Sequence, residues 1–218
     1  MRSVVRVMVV TLWVLALGAG AAQAEQAATA QPAMDPAKEA AMEATMQRLG
    51  SPGEGHKALE PLVWEWTYTA QWQMSPDAPP ETMTGTSTHQ LIFGGRFLRQ
   101  EVRGEAEGRP PFEGLGFTGY DNIRAEYQTV WFDNMATGMM RGAGQFDAAA
   151  KTLTDQGDFS CPITGEPHRW YRAAWTVVDQ DHTTYESYSR TPEGREFKSM
   201  EIHYSRTSAP CAPGMERC

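Results

Sequence analysis

Residues 62–72 read LVWEWTYTAQW, in which apolar and polar side chains alternate. The even-numbered positions hold Leu, Trp, Trp, Tyr, Ala and Trp, whereas most odd-numbered positions are polar. Successive side chains of a β-strand point to opposite faces, so this period of two predicts a long strand with one buried face. The pattern also predicts that Trp64, Trp66 and Trp72 are buried.

Nine further segments of the same kind follow, separated by turn residues such as Gly94-Gly95 and Pro192-Glu193-Gly194. No second helical pattern long enough for a parallel crossover interrupts them. Ten antiparallel strands joined in sequence order lose their exposed edges by curling closed. The sequence therefore predicts an all-β fold, an antiparallel up-and-down meander of about ten strands curled into a barrel, with one short N-terminal helix. The predicted strands are residues 62–72, 82–93, 96–106, 111–120, 126–132, 137–146, 151–159, 169–178, 183–190 and 196–206.

Residues 1–24 have the features of a secretory signal peptide. Arg2 and Arg6 precede a largely apolar run that extends from Val7 to Leu17. Ala22-Gln23-Ala24 then supplies the small residues of a cleavage site. The apolar run is far shorter than the ~20 residues that span a bilayer, and an uncleaved anchor helix is the alternative interpretation. We expect a mature protein without a stable membrane span that resides in a bacterial periplasm or outside the cell.

Residues 25–52 are predicted to form a flexible leader and one short amphipathic helix. The helix has an N-cap residue, a first-turn proline and a terminal glycine: Asp35, Pro36 and Gly50. Its apolar stripe consists of Met42, Met46 and Leu49. Because methionine fills gaps in ordinary cores, docking of this stripe across an opening of the following domain is favoured over recognition of a partner. Residues 53–206 are assigned to the barrel and residues 207–218 to a flexible tail.

Several motifs of the barrel segment together resemble a known family. They are His56 to Trp64, Gly94 to Leu98, Pro111 to Gly116, Gly119 to Asn122, Trp131 to Gly138 and Glu196 to Ile202. On these motifs the chain resembles, over about residues 53–206, the bacterial family known as domain of unknown function 1579. Trp64 departs from the family pattern, which usually has glycine at that place. The resemblance implies a secreted, lipocalin-like β-barrel and implies no activity.

Composition and motifs argue against several function classes. The chain has 27 acidic and 19 basic residues, a net charge of -8, which disfavours nucleic-acid binding. Its histidines and cysteines lack the spacings of zinc ligands, so neither a metal site nor a cofactor is predicted. The absence of a Gly-x-Ser-x-Gly motif argues against acyl transfer. The glycine pattern from Gly114 to Gly119 lies inside a strand, where it predicts backbone crowding or a bend rather than a phosphate site.

Aromatic and polar side chains indicate a ligand site inside the predicted barrel. Residues 127, 129, 131 and 133 are Tyr, Thr, Trp and Asp and share one strand face, and apolar pockets with a few polar groups are typical of small-molecule sites. His89 shares a face with Ser87 and could act as an acid, a base or a haem ligand, although a hydrogen-bonded or exposed strand histidine is the favoured interpretation. A one-residue shift in register would exchange the inward and outward sets. The candidate ligand-binding residues are Trp66, His89, Tyr120, Trp131, Asp133 and Tyr188.

Three functions are compatible with these observations. The leading hypothesis is a secreted protein that binds a small apolar or aromatic ligand in the barrel. The second is an enzyme of the isomerase, cyclase or lyase type that uses a buried carboxylate or tyrosine as general acid or base, with no catalytic residue assigned. The third is a structural or interaction protein of the envelope with a filled barrel. The sequence leaves the oligomeric state open.

The three cysteines leave at least one without an intramolecular partner. Cys161 lies between the seventh and eighth predicted strands, whereas Cys211 and Cys218 follow the tenth. In a ten-strand meander these places lie at opposite ends, about 30 Å apart for a ten-residue strand. The chain from Arg206 to Cys211 can reach back only about 17 Å. We therefore predict that any intramolecular disulfide joins Cys211 to Cys218 and that Cys161 is free or buried.

Overall fold

The structure, a computed structural model, describes residues 35–207. Within this range it contains two α-helices, α1 (Pro36–Gly50) and α2 (Glu54–Lys57), and a 3₁₀ helix over Glu60–Leu62. The strands are β1 (Trp64–Trp72), β2 (Glu81–Ile92), β3 (Phe97–Glu105), β4 (Phe112–Asp121), β5 (Glu126–Asp133), β6 (Met140–Asp147), β7 (Thr152–Phe159), β8 (Arg169–Val177), β9 (His182–Arg190) and β10 (Glu196–Arg206). None of the helices described here is both long and apolar enough to cross a membrane.

Four sequence predictions fall on parts of the chain beyond this range. The predicted signal peptide and the leader up to residue 34 lie outside the described residues, as does the tail from residue 208 onward. The predicted disulfide between Cys211 and Cys218 belongs to the same undescribed tail. These four statements remain predictions.

The ten strands form a closed barrel in which every strand pairs antiparallel with its neighbours in sequence. The closure is made by β1 and β10, where Tyr68 lies opposite Tyr204. The predicted all-β meander of about ten strands is thereby confirmed, together with the short helix that precedes it. Closure pairs the edges that a ten-strand open sheet would expose.

The two ends of the barrel differ. At the end where β1 begins, the segment 53–63 enters the interior, and we call this segment the plug. Leu59 of the plug is fully buried and Leu62 is 5% exposed. They form one apolar cluster with three residues of the barrel wall: Leu98, Tyr127 and Leu153. We call the opposite end, where the loops after β1, β3, β5, β7 and β9 lie, the open end.

Hydrogen bonds attach the plug to the strands. The carbonyl oxygen of Leu62 accepts two bonds of 3.0 Å, one from Nε1 of Trp66 and one from Nδ1 of His89. The hydroxyl of Tyr127 donates to the carbonyl of Gly55 at 2.6 Å. Buried backbone carbonyls require such partners, so these side chains allow a segment of two short helices to fill the end of the barrel.

Burial of the β1 tryptophans differs from the prediction at one position. Trp66 is 1% exposed, which confirms its place in the core, and Trp72 is half-buried. Trp64 is 37% exposed, so the prediction that it is buried is wrong. Because the plug occupies the interior where β1 begins, Trp64 lies at the rim. There its Nε1 donates to the carbonyl of Thr207 at 3.0 Å and the guanidinium of Arg206 stacks on its ring.

Helix α1 begins and ends where the sequence predicted. Oδ1 of Asp35 accepts a hydrogen bond of 2.9 Å from the Ala37 amide, the N-cap contact expected for this residue. No residue of the helix is buried, and Met46 is 66% exposed. The expected docking of the methionine stripe is therefore not found among the described residues, because the plug fills the barrel end instead.

Candidate functional site

Strand register determines which side chains enter the barrel lumen. Trp66 of β1 lies opposite Ser87 of β2, and both are buried, so their parity marks the inward face. Followed around the barrel, this parity turns Thr129 of β5 and Asp155 of β7 inward. On β5 the inward set is the one that the sequence predicted: Tyr127, Thr129, Trp131 and Asp133.

Several inward-facing side chains in the half of the lumen toward the open end are only half-buried. They are largely apolar and include Met83, Phe112, Trp131, Met140, Phe159 and Ile202. Other inward positions of the same half, such as Ala70 and Phe197, are buried, as are Leu98 and Leu153 near the plug. The half-buried apolar set is therefore the part of the lumen wall that keeps contact with solvent.

A buried carboxyl lies between the apolar pocket and the filled end. Asp155 is 6% exposed, and its Oδ2 accepts hydrogen bonds of 2.8 Å from the hydroxyls of Thr129 and Tyr171. Burial raises the pKa of Asp155, and these two bonds offset part of that increase because they favour the charged form. The lumen therefore contains one strongly desolvated acid with defined hydrogen-bond donors.

This cluster depends on a glycine in the neighbouring strand. A Cβ at Gly142 of β6 would come within 3.0 Å of the hydroxyls of Tyr171 and Thr129 and of Asp155 Oδ2. Gly114 of β4 leaves space for Trp131 in the same way, because the indole of Trp131 occupies the place that a Cβ at position 114 would need. The space beside the glycines of β4 is thus taken by side chains of neighbouring strands, rather than by the closely approaching backbone that the sequence analysis expected.

Tyrosine hydroxyls continue the polar zone around the lumen. The rings of Tyr68 and Tyr204 are 5.7 Å apart, and Gln100 Nε2 donates to the Tyr204 hydroxyl at 3.5 Å. Burial raises the pKa of Tyr185, and the neighbouring Asp155 raises it further. We call this set the polar belt; it comprises Tyr68, Gln100, Thr129, Asp155, Tyr171, Tyr185 and Tyr204.

One member of the polar belt lacks a partner. The hydroxyl of Tyr68 is buried and has no hydrogen-bond partner among the described residues. Burial raises the pKa of Tyr68 to about 12, so this hydroxyl stays protonated near neutral pH. A buried hydroxyl without a partner costs free energy, and a bound molecule with a polar atom would remove that cost.

The structure places two predicted site residues in the accessible half of the lumen. Trp131 stacks on Phe112 with the ring centroids 6.4 Å apart, and its Nε1 donates to Asp133 Oδ2 at 2.9 Å. Asp133 also accepts a bond from the Met135 amide, so its carboxylate orients the indole at the open rim. These two residues lie where the sequence analysis expected a ligand contact.

Trp66 and His89 face the lumen but lie beneath the plug. Nε2 of His89 is 2.7 Å from Ser87 Oγ, and its Nδ1 donates to the Leu62 carbonyl. Burial lowers the pKa of His89 to about 4, so the ring is neutral and accepts from Ser87. Ser87 is 1% exposed, and this serine–histidine pair has no access for a substrate. The favoured interpretation of His89 as a hydrogen-bonded strand histidine matches its position.

Tyr120 and Tyr188 lie away from the accessible lumen. Tyr120 packs on Tyr127 and on His56 of the plug, at centroid distances of 4.9 Å and 5.9 Å. Tyr188 has the opposite parity from Ser187 and Ser189, which are buried, and it therefore faces outward. There the Arg172 guanidinium stacks on its ring at 4.1 Å.

Sequence reasoning missed the residues that make the belt polar, above all Asp155 and Tyr171. A signal was present, because Asp155 follows the apolar Leu153 by two positions and must share its face. The same parity links Tyr171 with Ala173 and Trp175 on β8. Only the register of β7 against its neighbours shows that these faces turn inward and meet.

Other features of the described residues offer weaker sites. No group of three histidine, cysteine, aspartate or glutamate side chains in residues 35–207 is arranged to hold a metal ion. A shallow depression on the outer side of β1, β2 and β3 is lined largely by polar side chains such as Thr67 and Thr84. It has no buried charge of its own, and the barrel lumen remains the candidate site.

Comparison with known proteins identifies a family and a fold. A family model described as "Protein of unknown function (DUF1579)" matches residues 51–206. The crystal structure of Rv2717c from M. tuberculosis aligns with a TM-score of 0.54 at 12% identity, covering 72% of this chain and 100% of that one. An S-type phycobiliprotein lyase from Guillardia theta aligns with a TM-score of 0.49 at 8% identity, covering 72% and 99%. No curated protein matches the chain significantly.

Proposed function

The chain belongs to the DUF1579 family of proteins of unknown function, and we propose that it is a binding protein that holds a small amphipathic molecule in its barrel lumen. The apolar body of this molecule contacts the wall of the open half. Its polar end reaches the polar belt. Pockets with apolar walls and a few converging polar groups are the usual form of small-molecule sites.

The observation that carries this proposal is a set of apolar side chains that point into the barrel without being covered. Trp131, Met83 and Ile202 face the lumen in the half toward the open end and keep contact with solvent. A barrel with a purely structural role would be expected to bury such side chains in a close-packed core. The uncovered apolar set therefore supports a ligand-binding function over a filled barrel.

The flat apolar surface beside the belt supports an aromatic or similarly planar body. Phe112 and Trp131 stack nearly parallel, at an interplanar angle of 17°, and the hydrogen bond to Asp133 fixes the plane of the indole. Preorganised aromatic side chains give contact area at low cost in conformational entropy. A planar ligand body can pack along this surface.

Titration with 1-naphthalenemethanol tests the proposal, because this compound joins an aromatic body to one hydroxyl. We expect saturable binding to the purified protein by calorimetry, and we expect Trp131→Ala to weaken it about tenfold or more. Trp170→Ala is the matched control, since Trp170 faces outward beneath the Arg190 guanidinium. Absence of saturable binding, or equal loss in both variants, would contradict the proposal. Native mass spectrometry followed by denaturation would identify a molecule that co-purifies.

The buried acid also favours a second candidate, acid–base catalysis on the bound molecule. Burial raises the pKa of Asp155, and a carboxyl pKa raised by burial is a common feature of general acids and bases. If the protein is an enzyme, Asp155→Asn should retain binding of the co-purified molecule but abolish its conversion. Unchanged conversion in that variant would exclude Asp155 as the acid or base.

We also propose that the protein acts outside the cytoplasm after cleavage behind Ala24. The support is the basic start, apolar run and small-residue cleavage site of residues 1–24. N-terminal sequencing of the protein from a periplasmic or culture fraction should begin at Glu25. Recovery of the intact N-terminus in a membrane fraction would support the anchor interpretation instead.

A further inference from the structure

Asp155 is a buried carboxyl without a basic partner. The salt bridges within the described residues do not include Asp155. On the outer surface nearby, Asp158 of β7 pairs with His168, and Arg172 of β8 pairs with Glu196. Its two hydrogen bonds come from neutral hydroxyls and both fall on Oδ2. The other oxygen, Oδ1, receives none of the hydrogen bonds that the described residues make.

Such a group is unusual on energetic grounds. A buried carboxylate costs several kcal/mol unless a cation or a full set of hydrogen bonds compensates it. In the open half of the lumen, Arg169 is the one basic residue at an inward-facing strand position within residues 35–207, and it pairs with Glu166. Arg109, in the loop after β3, lies over the Trp72 ring and pairs with Glu81. The described residues therefore place no basic side chain against the carboxyl of Asp155.

The surroundings of Asp155 also suit a cation rather than a neutral polar group. Tyr171 and Tyr185 lie beside the carboxyl, and Trp131 lies toward the open end. The faces of aromatic rings attract organic cations, most strongly where water is excluded. In addition, Tyr68 offers an unpartnered hydroxyl oxygen in the same belt, which can accept a hydrogen bond from an N–H group.

We propose that the lumen selects an organic cation, an amine whose protonated nitrogen approaches Oδ1 of Asp155 while its apolar body lies along Trp131 and Phe112. This inference rests on the proposed binding function and adds the chemical class of the ligand. The carboxylate provides the counter-charge, the tyrosine and tryptophan rings surround the cation, and the apolar wall excludes water from the pair. A charge-assisted hydrogen bond of this kind is about twice as strong as one between neutral groups.

Three compounds that share one aromatic body and differ in the charge of the head group test the inference. They are 1-naphthylmethylammonium, 1-naphthalenemethanol and 1-naphthoate, titrated into the purified mature protein near neutral pH by calorimetry. We expect the ammonium compound to bind at least about tenfold more tightly than the alcohol, and the carboxylate to bind most weakly. This comparison needs no variant, so it holds even if a substitution prevents folding.

Two substitutions on β7 test whether Asp155 causes the tighter binding of the ammonium compound. Asp155→Asn should remove the advantage of the ammonium compound and leave binding of the alcohol within about twofold. Asp158→Asn is the matched control, because Asp158 lies on the same strand but faces outward and pairs with His168; it should retain the preference. This control separates the local carboxylate from the general attraction of a protein with net charge -8 for cations.

The outcomes separate this inference from the proposed function. If the alcohol or the carboxylate binds as tightly as the ammonium compound, the lumen binds ligands but the cation assignment is wrong. An equal loss of preference in Asp155→Asn and Asp158→Asn would also overturn it. If none of the three compounds binds, the proposed function itself fails.

Discussion

Two aspartates inside the barrel differ because their surroundings differ. Asp133 lies half-buried at the open rim, where it accepts bonds from the Trp131 indole and the Met135 amide. Asp155 lies deeper, receives two hydroxyl bonds, and has its pKa raised by burial. The same side chain thus orients a neighbour at one site and is a buried carboxyl without a basic partner at the other.

Asparagine at position 155 should stabilise the free protein near neutral pH. Because the pKa of Asp155 is higher in the folded than in the unfolded state, the ionised carboxylate destabilises the fold once the pH rises through the folded pKa. We expect Asp155→Asn to increase the free energy of unfolding by about 1 kcal/mol near neutral pH. The gain should shrink in acid, where the wild-type carboxyl is protonated. Urea denaturation of both proteins, in acid and near neutral pH, measures this difference in the free energy of unfolding. A loss of stability in Asp155→Asn near neutral pH would contradict the interpretation that the pKa of Asp155 is raised by burial.

His89 should make stability fall in acid. The pKa of a histidine is 6.5 in the unfolded chain and about 4 for the buried His89, so the unfolded state binds a proton first as the pH decreases. The contribution of His89 to the free energy of unfolding should therefore be constant above pH 6.5 and decline toward pH 4, by about 3 kcal/mol in total. Urea denaturation of His89→Asn should show a smaller pH dependence, whereas the same change at the exposed His203 should not. An unchanged slope in His89→Asn would show that the ring is not buried in its neutral form.

At the scale of elements, the plug is as much a part of the core as the strands. Leu59 is fully buried among barrel residues, and the Leu62 carbonyl accepts from two side chains of the strands. The plug fills one end of the lumen, and the half-buried apolar side chains lie toward the other end. The polar belt lies between the two.

Shortening a buried side chain of the plug should therefore destabilise the whole barrel. We expect Leu59→Ala to lower the free energy of unfolding by about 2–5 kcal/mol, the range for large-to-small changes in a core. Met46→Ala on α1, whose side chain is 66% exposed, should change it by less than about 0.5 kcal/mol. Equilibrium urea denaturation compares the two variants. Similar small effects in both would mean that the plug contributes little to the fold.

At the scale of the whole molecule, the meander separates the cysteines. Cys161 is buried in the loop between β7 and β8 at the open end, without a disulfide partner among the described residues, whereas β10 ends beside the plug. We expect peptide mapping of the unreduced mature protein to show no bond between Cys161 and Cys211, and any intramolecular bond to join Cys211 to Cys218. A cross-link between Cys161 and Cys211 would require the tail to cross the length of the barrel.

The sequence by itself determined the strands and their order, because alternation and turn residues act between neighbours in the chain. It also placed Trp131 and Asp133 on one face of β5, but it left open whether that face turns inward, since a one-residue shift in register would reverse it. It also determined the boundaries of α1 through Asp35 and Gly50. The same alternation failed at the start of β1, because the plug occupies the interior there and Trp64 lies at the rim.

Only the tertiary structure decided which of these inward faces form the site. Asp155 meets Thr129 and Tyr171 from positions 26 and 16 residues away in sequence, and Gly142 on a further strand leaves the space for them. It also turned Tyr188 outward and covered Trp66 and His89 with the plug. These outcomes depend on the register of all ten strands around a closed barrel, and register is a property of long-range pairing that no single segment carries.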